Sequence, residues 1–154
     1  MDPLLFDFTL ISRVVVGTLL GFAVGWEREH RGSFAGDRTF ALVALGSSAF
    51  TAVGVENFPP TAEKVMAGVV SGIGFLGAGM IMKGDGAVVK GLTTAASMWA
   101  VAAVGMLAGV GELLMAAAVA ALMVFILELD NIPGLRALGH GKKHTATRGG
   151  GSET

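Results

Sequence analysis

The feature that most constrains this chain is a series of long apolar runs separated by short charged segments. A helix that spans a bilayer needs about 20 mostly apolar residues. Five runs approach that length, over residues 4–26, 39–55, 65–82, 93–110 and 113–129. Only 15% of all residues are charged, where roughly 25% is usual in soluble domains. We therefore predict an all-α membrane protein with five transmembrane helices.

The placement of basic residues gives this layout an orientation. Lys64 alone falls on one side of the predicted membrane, and Arg13 lies inside the first run. Nine basic residues fall on the other side: Arg28, Arg31, Arg38, Lys83, Lys90, Arg136, Lys142, Lys143 and Arg148. Because cytoplasmic loops carry an excess of Lys and Arg, we predict the N-terminus outside and the C-terminus in the cytoplasm.

The predicted organisation is one transmembrane domain over residues 1–133, followed by a largely disordered cytoplasmic tail over residues 134–154. The N-terminus carries Asp2 and Asp7 rather than basic residues, and its apolar run is long. We therefore expect a retained first span rather than a cleaved signal peptide.

Glycine is unusually frequent, with 24 residues. Each glycine in a soluble helix interior costs roughly 1 kcal/mol against alanine, so these residues need a compensating role. Gly17, Gly21 and Gly25 recur every four residues in the first run, and the third run carries Gly72, Gly74, Gly77 and Gly79. Small residues at such spacings let membrane helices approach closely. We predict glycine-rich contacts between the first, third and fourth spans.

The third run allows a second interpretation. Residues 72–79 could form a broken helix whose freed backbone groups line a polar cavity and bind an ion. The segment also matches the glycine spacing of a dinucleotide-binding loop, Gly72-x-Gly74-x-x-Gly77. That motif needs a preceding strand and a βαβ unit, which an apolar span excludes.

Arg13 is the one charged side chain placed well inside a predicted span, about 13 Å deep at 1.5 Å per residue. A charge at that depth indicates a functional site by default. The functional interpretation is an ion or proton pathway, or a counter-charge for buried carboxylates. The alternative is a structural arginine that pairs with a helix C-terminus or extends outward to the membrane surface. No acidic partner within the spans is evident from the sequence.

Two polar segments flank the cytoplasmic end of the first run, Glu27-Arg28-Glu29-His30-Arg31 and Gly36-Asp37-Arg38-Thr39. Carboxylates are ligands that Mg²⁺ prefers, which makes Glu27, Glu29 and Asp37 candidate metal ligands. The alternative is a solvated loop whose arginines meet lipid phosphates. Asp37 is also predicted to cap the second helix.

A third polar segment opens the fourth run at Gly91, with Thr93, Thr94 and Ser97 close behind. Thr93 or Thr94 is predicted to cap this helix, and Thr93 and Ser97 share a face. A helix N-terminus with adjacent hydroxyls can hold an anion or a carboxylate from the first loop. The alternative is an ordinary capped helix.

Catalytic chemistry has no support in this sequence. The chain has no cysteine, and its histidines, His30, His140 and His144, lie outside the apolar runs. We predict a non-enzymatic protein, and the net charge of −1 gives no reason to expect a nucleic-acid partner.

Taken together, these segments resemble the N-terminal membrane domain of the MgtC/SapB family of bacterial inner-membrane proteins. The matching segments are residues 25–29, 36–39, 71–79 and 91–99, within residues 13–110. The resemblance implies five spans, a role in Mg²⁺ homeostasis, growth at low magnesium and membrane energetics, and membership of a virulence-associated family. It also implies the F-type ATP synthase as a partner. The small-residue surface of the predicted helices separately predicts a homo-oligomer, and we expect a dimer.

The alternative function is a small transporter or channel for Mg²⁺ or protons. No cofactor is expected other than Mg²⁺, which enters only through the resemblance.

This chain departs from the family pattern in two places. Family members carry Asp-x-x-Arg-Val before the glycine run, where this chain reads Ala62-Glu63-Lys64-Val65. Typical members also carry a C-terminal ACT-like domain, so we do not expect properties tied to that domain here.

Overall fold

A computed structural model describes residues 3–83 and 89–129 of the chain. It contains five α-helices: α1 (Pro3–His30), α2 (Asp37–Asn57), α3 (Ala62–Met80), α4 (Leu92–Val110) and α5 (Leu113–Glu128). The chain up to Val124 belongs to one compact unit, and the packing below is within it. The predicted tail, with His140 and His144, lies outside the described residues.

Three helices are long and apolar enough to cross a membrane: Phe8–His30, Asp37–Asn57 and Leu92–Val110. Helix α5 is apolar but has only 16 residues, and the 19 residues of α3 begin with a charged turn that holds Glu63 and Lys64. The predictions of an all-α membrane protein and of five helices are confirmed. Whether α3 and α5 also span stays a prediction.

Proline and glycine set the breaks between helices. Pro59 and Pro60 form a short 3₁₀ turn between α2 and α3. Gly111, at φ +106°, ends α4 in the left-handed conformation, and its N–H donates to the carbonyl oxygens of Leu107 and Ala108. Because residues other than glycine rarely adopt this conformation, Gly111 explains why α4 and α5 are two helices.

The connection between α3 and α4 contains a feature that the sequence pattern did not predict. Two short strands, β1 (Met82–Lys83) and β2 (Val89–Lys90), pair in antiparallel register, with Met82 opposite Lys90. Gly91, at φ +89°, then leads into α4. Residues 84–88, between the two strands, lie outside the described residues.

Helix α2 lies at the centre of the helix packing, since it contacts α1, α3 and α4. The core it forms with α1 and α4 is made of small and medium side chains. The largest that are fully buried are Phe40, Met98, Val24, Val101 and Val104. The hydroxyls of Ser48 and Thr51 are buried in the same core. The core contains mainly small and medium side chains because the helices pack close together and leave little space for large ones.

Glycines make that approach possible on α1 and α4. A Cβ added to Gly25 would lie 2.6 Å from Asp37 Cα, and one on Gly105 or Gly109 would lie 2.5 Å from the carbonyl oxygen of Ala44 or Ser48. Each of these distances is shorter than real contacts allow. Side chains are absent where α1 and α4 cross α2, because backbone atoms occupy the space.

Helix α3 differs from the prediction. A Cβ on Gly72, Gly74 or Gly79 would meet nothing within 4 Å, and only Gly77 approaches a neighbour, at 3.8 Å from Ala95. Helix α3 packs on α2 and α4, and the predicted glycine-rich contacts between spans one, three and four stay a prediction for this helix. Its helix also runs unbroken through these glycines. Spacing identifies a small-residue face but not the neighbour that covers it.

Candidate functional site

Arg13 forms an ion pair at one end of the helix unit. Its Nη1 donates to Glu56 Oε1 at 2.6 Å, and the two side chains are only 19% and 25% exposed. Glu56 is 43 residues away, at the end of α2. The sequence had shown no acidic partner within the predicted spans, and Glu56 lies just beyond the second of them, residues 39–55. The position of Glu56 directly after the second apolar run was the sequence feature that could have identified it as the partner of Arg13.

The same arginine lies against the end of α4. A Cβ on Gly111 would be 3.1 Å from Arg13 Nε, so the guanidinium packs directly on the residue that caps this helix. The C-terminal end of a helix carries partial negative charge and favours a cation. Arg13 thus connects α1, α2 and the α4–α5 turn. Its functional role stays a prediction.

A second cluster lies at the opposite end of α1. Arg28 donates from Nε and Nη2 to the two carboxylate oxygens of Glu27, both at 2.5 Å, and the side chains are 11% and 14% exposed. Arg31 Nε lies 3.7 Å from the same carboxylate. Such forked, charge-assisted pairs are among the stronger hydrogen bonds in proteins. Glu27 is therefore held by two arginines.

Glu29 links α1 to the start of α2. Its Oε2 accepts a hydrogen bond from the Asp37 N–H at 3.1 Å, and the side chain packs against Gly36. The capping position of α2 is Gly36, not Asp37, so that prediction is wrong. Asp37 instead accepts from the Arg38 N–H at 2.5 Å. Both acids lie where the helix dipole favours negative charge.

Hydroxyl groups tie this loop to α4. Ser33 and Thr94 share a hydrogen bond of 3.0 Å between their side-chain oxygens, and Thr94 is buried. Neither Thr93 nor Thr94 caps α4, because the capping position is Gly91 and no side-chain cap forms. Ser97 donates to the carbonyl oxygen of Thr93 at 2.7 Å. The hydroxyls therefore hold the loop rather than present a free anion site.

The two clusters are separate sites. Arg13 and Glu27 are 14 residues apart on one helix, which is about 21 Å at 1.5 Å per residue. Within residues 3–83 and 89–129, no three His, Cys, Asp or Glu side chains group closely enough to hold a metal. The metal-ligand role of Glu27, Glu29 and Asp37 stays a prediction, and the partners of these carboxylates are the arginines and backbone N–H groups named above.

The family model described as MgtC family matches residues 14–132. The chain belongs to the MgtC family. The inner cluster of Glu27, Arg28, Glu29 and Thr94 lies inside the matched region, and Arg13 directly precedes it.

Curated relatives carry the same family name. Protein MgtC of Salmonella typhimurium is 42% identical over 112 residues, which cover 73% of this chain and 48% of that protein. Protein MgtC of Brucella abortus is 47% identical over 113 residues, covering 73% and 46%. An uncharacterized protein of Synechocystis is 40% identical over 136 residues, covering 88% and 57%.

The chain thus spans about half the length of the curated MgtC relatives it matches. No solved structure matches the chain.

Sequence reasoning had named Arg13 and the inner cluster, but it missed Glu56 and Ser33. Both are partners across helices, which no local pattern identifies.

Proposed function

We propose that this MgtC-family chain is a non-enzymatic protein of the bacterial inner membrane that acts through a protein partner. Its role would be in Mg²⁺ homeostasis, growth at low magnesium and membrane energetics. One observation carries the choice of a regulator. Glu27 and Glu56 are both held by arginines, so each carboxylate already has a counter-charge within the chain and is not a free cation ligand.

The proposed topology has five spans, with the N-terminus outside and the C-terminus in the cytoplasm. Two exposed basic residues lie near the connection from α1 to α2: Arg31 directly follows α1, and Arg38 is in the first turn of α2. Because basic residues are enriched in cytoplasmic loops, they support a cytoplasmic position for this connection. Trp26 and Trp99 are each about half exposed. Half-exposed indoles are typical of the membrane interface.

The proposed partners are the lipid bilayer, a second copy of the chain and the F-type ATP synthase, the last by family resemblance alone. Large apolar side chains on the outer surface support the bilayer contact, among them Phe8, Leu19, Phe22, Leu42 and Leu114. No cofactor is proposed beyond Mg²⁺, for which the resemblance is the sole support.

The alternative is a small transporter or channel for Mg²⁺ or protons. The Arg13–Glu56 pair favours it, because paired charges among membrane helices are typical of ion pathways. Thr51 also supports the transporter or channel, since its buried hydroxyl has no hydrogen-bond partner among the described residues.

Flux into liposomes separates the two functions. Purified protein is reconstituted, and uptake of Mg²⁺ and of protons is measured against empty liposomes. The regulator predicts no flux above the empty control, together with restored low-magnesium growth in a bacterium that lacks its own MgtC. Flux that disappears in Glu56→Gln, with Glu63→Gln as the exposed control, would replace the regulator by the transporter.

A further inference from the structure

Helices α2 and α3 touch at one end and separate toward the other. Near the Pro59–Pro60 turn, a Cβ on Gly54 would lie 3.4 Å from Val65 Cβ, which is ordinary van der Waals contact. Farther along α3, a Cβ on Gly68 or Gly72 would meet nothing within 4 Å. The two helices therefore enclose a groove that narrows to a contact at Val65 and opens toward the start of α2.

The other end of α3 packs on α4 instead. A Cβ on Gly77 would lie 3.8 Å from Ala95 of α4. The carbonyl oxygen of Met80 lies directly against Gly91, where no side chain would fit, just before α4 begins. Because α3 contacts α2 at one end and α4 at the other, the groove between α2 and α3 follows from the way the helices pack.

The groove has the length and the chemistry of a site for one acyl chain. Its volume is about 630 Å³, and the side chains that line it are apolar apart from Thr39 and Ser47. From Thr39 to Phe50 it extends about 16 Å along α2, at 1.5 Å per residue. One leaflet supplies about 15 Å of hydrocarbon, half of the roughly 30 Å core of a bilayer. The groove is therefore about one leaflet deep.

A cation lies at the open end of the groove. Arg38 is exposed, directly precedes Thr39 and makes no ion pair among the described residues. The neighbouring Asp37 carboxylate accepts from the Arg38 N–H rather than from its guanidinium. Leu42, which lines the groove and is 66% exposed, lies four residues after Arg38 and so on the same face of α2. The guanidinium of Arg38 is therefore available at the open end of the groove.

A phospholipid matches this combination of an apolar groove and a terminal cation. Arginine binds phosphate oxygens through paired N–H donors, and basic pockets between transmembrane helices bind lipid headgroups on the cytoplasmic side. We propose that a phospholipid of the cytoplasmic leaflet binds here, with one acyl chain between α2 and α3 and its phosphate at Arg38. This inference rests on the bilayer contact and the cytoplasmic α1–α2 connection of the proposed function, and it specifies the lipid and its site.

Native mass spectrometry of the protein in detergent measures this binding. The chain is titrated with phosphatidylglycerol, and the fraction that carries one lipid gives the Kd. Gly72→Leu places a side chain in the groove, whereas Gly74→Leu adds the same side chain where it does not line the groove, and neither new Cβ meets a neighbour within 4 Å. We expect binding weakened by about tenfold or more in Gly72→Leu alone. Equal affinities of the two variants would overturn the site.

A second pair of variants tests the phosphate contact. Arg38→Gln removes the cation at the open end, and Lys90→Gln removes an exposed cation that does not line the groove. Arg38→Gln is expected to weaken phosphatidylglycerol binding by about tenfold, and Lys90→Gln to leave it unchanged. Diacylglycerol with the same acyl chains has no phosphate, so Arg38→Gln should bind it as tightly as the wild type. Unchanged phosphatidylglycerol binding in Arg38→Gln would contradict the proposed contact.

The same spectra distinguish the lipid from a second copy of the chain. A dimer that Gly72→Leu dissociates, with bound lipid unchanged, would show that another chain fills the groove and would overturn the proposal. A chain that binds no lipid and still restores low-magnesium growth would overturn the lipid site and leave the regulator intact. A chain that binds the lipid and transports Mg²⁺ would overturn the regulator and support the lipid site.

Discussion

Single residues in this protein act mainly as connectors between helices. Arg13 joins three elements, since it pairs with Glu56 on α2 and packs on Gly111 after α4. Glu29 does the same at the C-terminal end of α1, where it accepts from the Asp37 N–H at the start of α2. Glu27 instead pairs with the buried Arg28 of its own helix, so removing Glu27 leaves the Arg28 charge without its partner.

Glu56→Gln is expected to destabilise the protein by about 1–2 kcal/mol, because it leaves the Arg13 charge without its counter-ion in a partly exposed site. Thermal unfolding in detergent measures the change. Glu112→Gln, an exposed acid at the same end of α4, is the control and should show no shift. The double variant Arg13→Met with Glu56→Leu should cost less than the two single changes together, and simple additivity would argue against the pair.

Glu27→Gln is expected to destabilise the protein by roughly 2 kcal/mol, because the nearly buried Arg28 loses both of its charge-assisted hydrogen bonds. Exposed Glu63→Gln provides the comparison. If unfolding temperatures of the two variants agree, the Glu27–Arg28 pair contributes nothing to stability.

At the scale of elements, the same residue type has opposite roles. Glycines on α1 and α4 allow contact with α2, whereas four of the five glycines of α3, all but Gly77, face open space within the chain. The buried face of α3 is correspondingly small, with Ala62, Ile73 and Gly77 as its buried residues. Helix α3 is therefore the least enclosed of the helices that pack on α2.

Gly109→Ala and Gly74→Ala make a matched pair at this scale. The new Cβ at position 109 would lie 2.5 Å from the Ser48 carbonyl oxygen, while the one at position 74 meets nothing within 4 Å. Overpacking of that kind costs about 1–3 kcal/mol, and the open site gains the helix propensity of alanine. Unfolding in detergent should show a loss for Gly109→Ala and no loss for Gly74→Ala. Equal effects would contradict the packing described here.

The whole molecule is a helical membrane protein of the MgtC family. Its long apolar helices are long enough to cross a membrane. One charged cluster lies at the C-terminal end of α1, and the Arg13–Glu56 pair lies about 21 Å away from it along that helix. The remaining question at this scale is whether α3, with its polar first turn, crosses the bilayer.

Cysteine labelling at the two ends of α3 tests that crossing. Glu63→Cys is expected to react with a membrane-impermeant maleimide from outside, and Lys90→Cys only after the membrane is permeabilised. Both positions are exposed, and the absence of native cysteine removes any background. Reaction of both from the same side would show that α3 does not cross.

The sequence by itself determined the five helices, the membrane class and the family motifs. Each depends on local composition and on a periodicity that repeats within one segment. The tertiary structure alone decided that Glu56 neutralises Arg13, that Glu29 rather than Asp37 binds the start of α2, and that the glycines of α3 stay uncovered. These outcomes depend on which helix faces which, because partners far apart in the chain meet only once the helices have packed.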